Sequence, residues 1–138
     1  MISFRKFIIA YMTVLIISIV IAHFYLQSQG RYPYGDITVE EAKSLIAQNT
    51  RLKIVDIRLD TEFNVSHIPG AINVCACGDP DNMLRQLNPN DEILVYCRNG
   101  LRSAATKEFL NDNSFGKVYN LVGGIVAWEN AGYPVVNG

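Results

Sequence analysis

Hydrophobic and polar positions divide the chain into one long apolar run and a second part in which short apolar runs alternate with amphipathic ones. The long run covers residues 7–26 and contains no Asp, Glu, Lys or Arg. Further along, residues 52–57, Ile93–Tyr96 and 117–122 are short runs rich in β-branched and aromatic side chains, which is typical of strands buried on both faces. The segments between them carry apolar residues at helical spacing. This alternation predicts an α/β domain with a mostly parallel central sheet flanked by helices.

Capping signals indicate where several of the helices begin. Thr38 and Glu41 have the spacing of a capping box, which predicts a helix that starts just after Thr38. Asp79 followed by Pro80 predicts a second helix start, because proline is favoured at the first helical position. Ser103 is predicted to be the N-cap of the helical segment that follows it.

The long apolar run at residues 7–26 predicts a transmembrane helix. As a helix it would be about 30 Å long, which is the thickness of the hydrocarbon core of a bilayer. Arg5 and Lys6 precede it, so the positive-inside rule places the amino terminus in the cytoplasm and the α/β domain on the extracytoplasmic (periplasmic) side of a single-pass protein. A cleaved signal peptide is the alternative, although its apolar region is usually shorter and ends in a small-x-small site.

The predicted organisation is a short tail at residues 1–6, the transmembrane helix at 7–26, a polar linker at 27–36 and the α/β domain at 37–138. Composition excludes several kinds of partner and site. With 12 Lys and Arg against 13 Asp and Glu, the net charge of −1 argues against a nucleic-acid partner. Three cysteines are too few for a disulfide scaffold, and no zinc-type Cys/His spacing is present, so no metal site is predicted.

The candidate chemistry is concentrated at Cys97, where the strand Ile93–Tyr96 stops abruptly. Asn99 and Gly100 supply a backbone that can adopt positive φ, so the loop is expected to turn its N–H groups inward and to lead into a helix N-terminus. Arg98 and Arg102 add full positive charges. Such surroundings favour the thiolate, which makes Cys97 a candidate nucleophile that can carry a transferable group. The alternative is a buried cysteine that acts as a small apolar residue.

Four segments of the chain resemble rhodanese-type sulfurtransferases. They are CRNGLRS at residues 97–103, VDIR at 55–58 with EF at 62–63, HIPGAIN at 67–73, and GGIVAW at 123–128 with AGYPV at 131–135. The segments follow one another along the chain in the order typical of the family, and the resemblance covers the chain from about residue 37 to its end. The resemblance implies a rhodanese-like fold and a sulfurtransferase activity.

The resemblance also implies roles for individual residues. Cys97 would take a sulfur from a small anionic donor such as thiosulfate, hold it as a persulfide, and pass it to a thiol, cyanide or a protein acceptor. Asp56 and Arg58 would brace the active-site loop. The residues expected to bind the substrate are Arg98, Asn99, Gly100, Leu101, Arg102 and Ser103. The mechanism requires no metal or organic cofactor.

Two other functions are compatible with these residues. Cysteine phosphatases also use a Cys-to-Arg loop around a tetrahedral anion, but their loop is one residue longer than the four residues between Cys97 and Arg102. A non-catalytic module that binds a protein or reports redox state is the second alternative, and the presence of Cys97 and both arginines argues against it.

Three further residues outside this loop invite a chemical interpretation. His67 is expected to shape the fold rather than act as a base. Cys75 and Cys77 are either redox partners for the carried sulfur or two small loop residues. We favour the second interpretation, because a disulfide between them would close a very small ring.

Overall fold

The computed structural model describes residues 4–28 and 33–138. The chain divides into two units, Met1–Arg31 and Tyr32–Gly138, and each is described by itself. The first contains the helix α1, Phe4–Ser28. The second is an α/β domain.

The α/β domain alternates strands and helices along its whole length. Its strands are β1 (Gly35–Ile37), β2 (Lys53–Asp56), β3 (Ala71–Asn73), β4 (Ile93–Tyr96) and β5 (Val118–Leu121). Its helices are α2 (Val39–Gln48), α3 (Asp60–Val65), α4 (Pro80–Gln86), α5 (Leu101–Asp112) and α6 (Gly124–Asn130).

The five strands form one parallel sheet in the order β1-β5-β4-β2-β3. Because all strands run the same way, their carboxyl ends share one edge of the sheet, which is where ligands bind in open α/β folds. Asp56 is level with Tyr96 on one side and with Asn73 on the other. The ends of β3, β2 and β4 therefore lie side by side, with Cys97 directly after β4.

Strand β4 is buried on both faces, which explains its unbroken run of apolar residues. Leu94 and Tyr96 pack into a core cluster with Trp128 of α6. Val95 and Cys97 belong to a second cluster that includes Met83 of α4 and Leu110 of α5. The predicted α/β architecture, with a parallel sheet and flanking helices, is confirmed.

Local capping signals had mixed outcomes. Both capping-box hydrogen bonds form between Thr38 and Glu41, and Asp79 caps α4 with Pro80 as its first residue. The prediction of Ser103 as an N-cap is wrong, because α5 already begins at Leu101 with Gly100 as its N-cap. Gly100 adopts φ +86°, in the left-handed region that favours glycine, so the loop closes earlier and Ser103 falls in the first helical turn.

Among the residues that the structure describes, no helix combines the length and the apolar character needed to cross a membrane. The prediction of a transmembrane helix at residues 7–26, and with it that of a single-pass protein with a periplasmic domain, is therefore wrong. Residues 1–3 of the predicted tail and 29–32 of the predicted linker lie outside the described residues. The boundary of the predicted domain at residue 37 stays a prediction.

Candidate functional site

The candidate site is built around Cys97, which follows the last residue of β4 and precedes the tight loop that opens α5. Its side chain is fully buried, and it is unpaired. A central strand of a parallel sheet fixes the backbone at this point, so the position of the sulfur is set by the sheet rather than by a flexible loop. The predicted strand-end location of Cys97 is confirmed.

Neutral hydrogen-bond donors surround the sulfur. The Gly100 N–H donates to Cys97 Sγ at 3.2 Å, and the Ser103 hydroxyl donates to it at 3.4 Å. Burial alone raises the pKa of the Cys97 thiol, but the Ser103 hydroxyl and the backbone N–H groups of Ser103, Asn99 and Gly100 outweigh it, and the pKa lies below its ordinary value. The loop therefore favours a thiolate, because these donors stabilise the charged form.

The Asn99 side chain stabilises the turn that presents these donors. Its Oδ1 accepts a hydrogen bond from the Leu101 N–H at 3.2 Å and lies 3.9 Å from Cys97 Sγ. Asparagine commonly stabilises a turn by bonding to the backbone two residues on.

Helix α6 holds the loop from the other side through its backbone. The Ile125 N–H donates to Cys97 O at 2.9 Å, and the Val126 N–H donates to Arg98 O at 3.1 Å. A Cβ on Gly124 would collide with Cys97 O and the Arg98 carbonyl group, and Gly124 has φ +59°. Gly124 was not among the predicted site residues, although the Gly-Gly pair at the start of the GGIVAW segment was the available signal.

The two arginines of the loop are exposed, unlike Gly100 and Ser103, which donate to the buried sulfur. Arg98 and Arg102 are exposed, and their guanidinium groups form no hydrogen bond or ion pair with any residue in the described part of the chain. Leu101, between them, is 73% exposed. Two positive charges and one apolar side chain therefore face solvent around the buried sulfur. Their predicted role in binding a substrate stays a prediction.

Asp56 and Arg58 form a buried ion pair at the end of β2. Arg58 is 5% exposed, and its Nη2 lies 2.7 Å from Asp56 Oδ2. The same nitrogen donates to Ser66 O at 2.6 Å, and the guanidinium lies 6.0 Å from the ring centre of Tyr96. The Asn73 amide donates to the carbonyl oxygens of both Asp56 and Arg58.

The ion pair therefore contacts Tyr96, the residue before Cys97, and the turn at Ser66. The hydrogen bonds of its side chains do not reach residues 98–103. The ends of β2 and β4 are also joined by the Ile57 N–H, which donates to Tyr96 O at 3.0 Å. The predicted bracing role thus acts through the strand end that carries Cys97 and stays a prediction.

His67 packs and pairs with residues outside the Cys97 loop. Its Nδ1 lies 3.0 Å from Phe63 O, its ring stacks on Phe63 at 3.8 Å, and its backbone pairs with Val136. These contacts agree with the structural interpretation made from the sequence.

Cys75 and Cys77 are joined by a disulfide bond. The interpretation of the two as independent small loop residues is therefore wrong. The bond is possible despite the small ring because their Cα atoms are 5.2 Å apart, inside the range that disulfides span.

Comparison with known proteins places the chain in a family. Residues 38–131 match the rhodanese-like domain. A "Sulfurtransferase" of Allochromatium vinosum is 32% identical over 102 residues, which cover 74% of this chain and 94% of that protein. The "Putative sulfur carrier protein YrkF" of Bacillus subtilis is 32% identical over 101 residues, which cover 73% of this chain but only 54% of that protein.

A solved structure supports the same assignment. The crystal structure of a "Rhodanese-like Domain Protein" from Staphylococcus aureus superimposes with a TM-score of 0.61 at 34% identity, covering 68% of this chain and 90% of that one. The resemblance predicted from four short segments is confirmed over residues 38–131. The chain therefore belongs to the rhodanese-like domain family.

Proposed function

We propose that this protein is a sulfurtransferase that moves a sulfane sulfur from a small anionic donor to a thiophilic acceptor through a persulfide on Cys97. The observation that carries the proposal is the pair of donors on the sulfur, the Gly100 N–H at 3.2 Å and the Ser103 hydroxyl at 3.4 Å. Donors preorganised around an anionic sulfur stabilise the thiolate before the reaction and the persulfide anion after it. The "Sulfurtransferase" name of the Allochromatium relative supports the same reaction class.

In the first step, the Cys97 thiolate attacks the outer sulfur of a donor such as thiosulfate. A bond forms between Sγ and the outer sulfur, and the bond from that sulfur to the sulfonate sulfur breaks with its electron pair, so sulfite leaves. The lowered pKa of Cys97 raises the fraction of thiolate available for this attack. The net charge on Cys97 does not change in this step, because the thiolate and the persulfide anion each carry one negative charge.

The exposed arginines suit the approach of the donor. Arg98 and Arg102 lie in the loop that surrounds Cys97 and make no other ionic contact within the described residues. A guanidinium that has no partner binds an oxyanion without first breaking an ion pair. We infer that they attract the sulfonate end of the donor while the loop N–H groups receive its outer sulfur.

In the second step, an acceptor thiolate, cyanide or a protein thiol attacks the outer sulfur of the persulfide. The bond between that sulfur and Cys97 Sγ breaks, and the thiolate is restored for another cycle. Each step is a displacement at sulfur, so the cycle needs no metal or organic cofactor.

The proposal is tested by the intact mass of the full chain after incubation with thiosulfate. We expect a gain of about 32 Da, one sulfur, which cyanide then removes as thiocyanate. Cys97→Ser is nearly isosteric and lacks the nucleophile, so it should show no gain and no thiosulfate:cyanide activity. The double variant Cys75→Ser/Cys77→Ser is the matched control, because it removes the disulfide without freeing another thiol and leaves Cys97 as the one cysteine of the chain.

Two results would contradict the proposal. One is thiosulfate:cyanide activity in a folded Cys97→Ser protein. The other is a Cys97 that reacts with iodoacetamide, and is therefore accessible, but gains no sulfur from thiosulfate, which is the behaviour expected of a non-catalytic module.

A further inference from the structure

Three exposed apolar side chains are carried by backbone segments that meet at the Cys97 loop. Leu101 is 73% exposed, Val122 is 49% exposed and Val126 is 40% exposed. The two displacements described above use none of these side chains, because thiosulfate and cyanide are small anions that offer no apolar surface to cover them. Exposed apolar residues scattered singly are normal, whereas several of them around one reactive group mark an interaction site.

The sheet register brings Val122 to the same edge as Cys97. Strands β4 and β5 are parallel neighbours, and Val95 is level with Asn120. Cys97 and Val122 each follow that pair by two residues, so they leave the sheet at the same level on strands about 5 Å apart.

The turn after β5 also packs directly against the loop. Gly100 is buried, and a Cβ on it would lie 2.7 Å from Gly123 N and 2.9 Å from Leu121 O. These two residues stand on either side of Val122, and Leu101 follows Gly100. The backbone segments that carry the exposed side chains of Leu101 and Val122 are therefore in contact.

Val126 is tied to the same loop through its backbone. Its N–H donates to Arg98 O at 3.1 Å, while its side chain is exposed and takes no part in that bond. We define the loop face as residues 98–102 together with Val122 and Val126.

The loop face carries positive charge beside its apolar side chains. Residues 97–102 and 121–126 include two arginines, Arg98 and Arg102, and no acidic residue. The acidic residue of α6, Glu129, comes three positions after Val126 and accepts a hydrogen bond from the Ser66 hydroxyl at 3.1 Å. A partner that covers the loop face with matching charge must therefore bring acidic groups of its own.

The burial of the sulfur limits the shape of such a partner. Cys97 is fully buried, and the outer sulfur of a persulfide extends only about 2 Å beyond Sγ. A cysteine on a flat folded surface would be stopped by the exposed residues of the loop face. A cysteine on a protruding or extended segment would reach the sulfur while its neighbours cover that face.

We infer that the loop face is the docking surface for a protein acceptor whose cysteine lies on a protruding acidic segment, with an apolar side chain beside it. The apolar side chain would cover Leu101 and Val122, and the acidic groups would pair with Arg98 and Arg102. The inference deepens the proposed function and rests on it, because the docked cysteine takes the sulfane sulfur from Cys97.

The transfer balances without a further reactant. The thiolate of the docked cysteine attacks the outer sulfur of the Cys97 persulfide, and a bond forms between these two sulfur atoms. The bond from the outer sulfur to Cys97 Sγ breaks and leaves its electron pair on Sγ. The acceptor becomes a persulfide, Cys97 returns to the thiolate, and there is no net oxidation or reduction.

The test is the discharge of the persulfide by synthetic peptides in a single turnover of the full chain. The chain is loaded with thiosulfate, freed of excess donor, and mixed with one of three peptides that each contain one cysteine. The first peptide has a leucine beside the cysteine and glutamates around it, the second has lysines in place of the glutamates, and the third has glycine in place of the leucine. The measured quantity is the half-saturating peptide concentration, which separates docking from the reactivity of the thiol.

The first peptide should bind best. We expect its half-saturating concentration to be about tenfold lower than that of the lysine peptide, because two exposed arginines favour the glutamates, and this difference should shrink as salt is added. It should be about fivefold lower than that of the glycine peptide, because the leucine covers apolar surface.

Val122→Glu and Val122→Lys form a matched pair, since both remove the same apolar side chain and they differ in charge. For the first peptide, the half-saturating concentration should rise about tenfold in Val122→Glu and about threefold or less in Val122→Lys. Discharge by mercaptoethanol, which is uncharged and too small to need the loop face, should stay within about twofold of the wild type in both. Ile72→Glu is the control, because Ile72 is 45% exposed on the edge strand β3, and it should behave as the wild type.

Three results would count against these expectations. Equal half-saturating concentrations for the three peptides, or a preference for the lysine peptide, would overturn the inference. A wild-type oligomer that dissociates in Val122→Glu, measured by sedimentation velocity, would also overturn it, because a second copy of the chain would then cover the loop face. A chain that gains no sulfur from thiosulfate would instead refute the proposed function itself.

Discussion

The charged residues at the ends of two neighbouring strands differ in burial and in partners. At the carboxyl end of β2, Asp56 and Arg58 are buried and form an ion pair with each other. At the carboxyl end of β4, Arg98 and Arg102 are exposed and have no ionic partner in the described part of the chain. The two ends lie side by side in one sheet. The buried groups at the two ends also differ. The end of β2 holds an ion pair, whereas the end of β4 holds a sulfur atom that accepts hydrogen bonds from neutral donors.

The difference separates two uses of charge. A buried ion pair is stable only while both partners are present, because each ion alone has lost its hydration. Such a pair is suited to fixing backbone positions. An exposed guanidinium keeps its hydration and has no partner to release, so it is suited to binding an anion that comes and goes. Substitutions on the two sides should therefore affect different properties, stability at β2 and activity at β4.

The largest effect is expected from Asp56→Asn. The change leaves Arg58 buried without its counter-ion, so the free energy of unfolding should fall by about 3–5 kcal/mol. Chemical denaturation of the full chain measures this. Asp79→Asn is the matched control, because the Asp79–Arg85 pair is exposed and its loss should leave the denaturation midpoint unchanged. Equal midpoints for the two variants would show that burial of the Asp56 pair is energetically unimportant.

Gly124→Ala should come next. An alanine at φ +59° costs roughly 1–3 kcal/mol. Its Cβ would also push against Cys97 O and the carbonyl group of Arg98. Both stability and sulfur transfer should fall, because the loop that carries the donors moves. Gly116→Ala is the control, since no atom lies within 4 Å of a Cβ there. If Gly124→Ala keeps wild-type activity, the loop does not depend on its contact with α6.

Cys97 and Gly124 show which parts of the site can be predicted from the sequence and which cannot. The apolar run Ile93–Tyr96 and the Asn-Gly pair after it placed Cys97 at a strand end beside a turn, because both signals are local. The role of Gly124 is not local. It depends on the approach of α6 to a loop more than twenty residues earlier in the chain, and that approach is decided by how the sheet packs.

The same reasoning explains two errors. Ser103 has the side chain of an N-cap, but Gly100 reaches positive φ three residues earlier and starts the helix first. The Ser103 hydroxyl is therefore not used as a cap and donates to Cys97 Sγ instead. This contact makes Ser103 a stronger candidate for the site than an N-cap role would have done. The Cys75–Cys77 bond was missed because ring size was considered without the bend of the backbone that brings the two Cα atoms to 5.2 Å.

On the β4 side, Arg102→Ala tests the exposed charge. A charged contact with the donor contributes roughly 2 kcal/mol, so kcat/KM for thiosulfate should fall about 30-fold while the denaturation midpoint stays unchanged. Arg85→Ala removes the same charge from α4, which lies outside the Cys97 loop, and should leave activity at the wild-type level. Equal activity of the two variants would mean that the positive charge of the loop does not attract the donor.

The smallest expected effect is that of Ser103→Ala, which removes one neutral donor from Cys97 Sγ and leaves the Gly100 N–H in place. The Ser103 hydroxyl is the strongest of the groups that lower the pKa of Cys97, so its loss should raise that pKa. Alkylation by iodoacetamide requires the thiolate and therefore increases as the pH rises through the pKa. The pH profile of the variant should shift to higher pH, and its rate near neutral pH should fall about fivefold, the equivalent of one hydrogen bond of about 1 kcal/mol.

Thr106→Ala is the control, because it removes a hydroxyl from the same helix that does not reach the sulfur, and it should leave the pH profile unchanged. If the profiles of Ser103→Ala and the wild type coincide while Cys75–Cys77 is kept oxidised, the backbone N–H groups alone hold the pKa of Cys97 below its ordinary value.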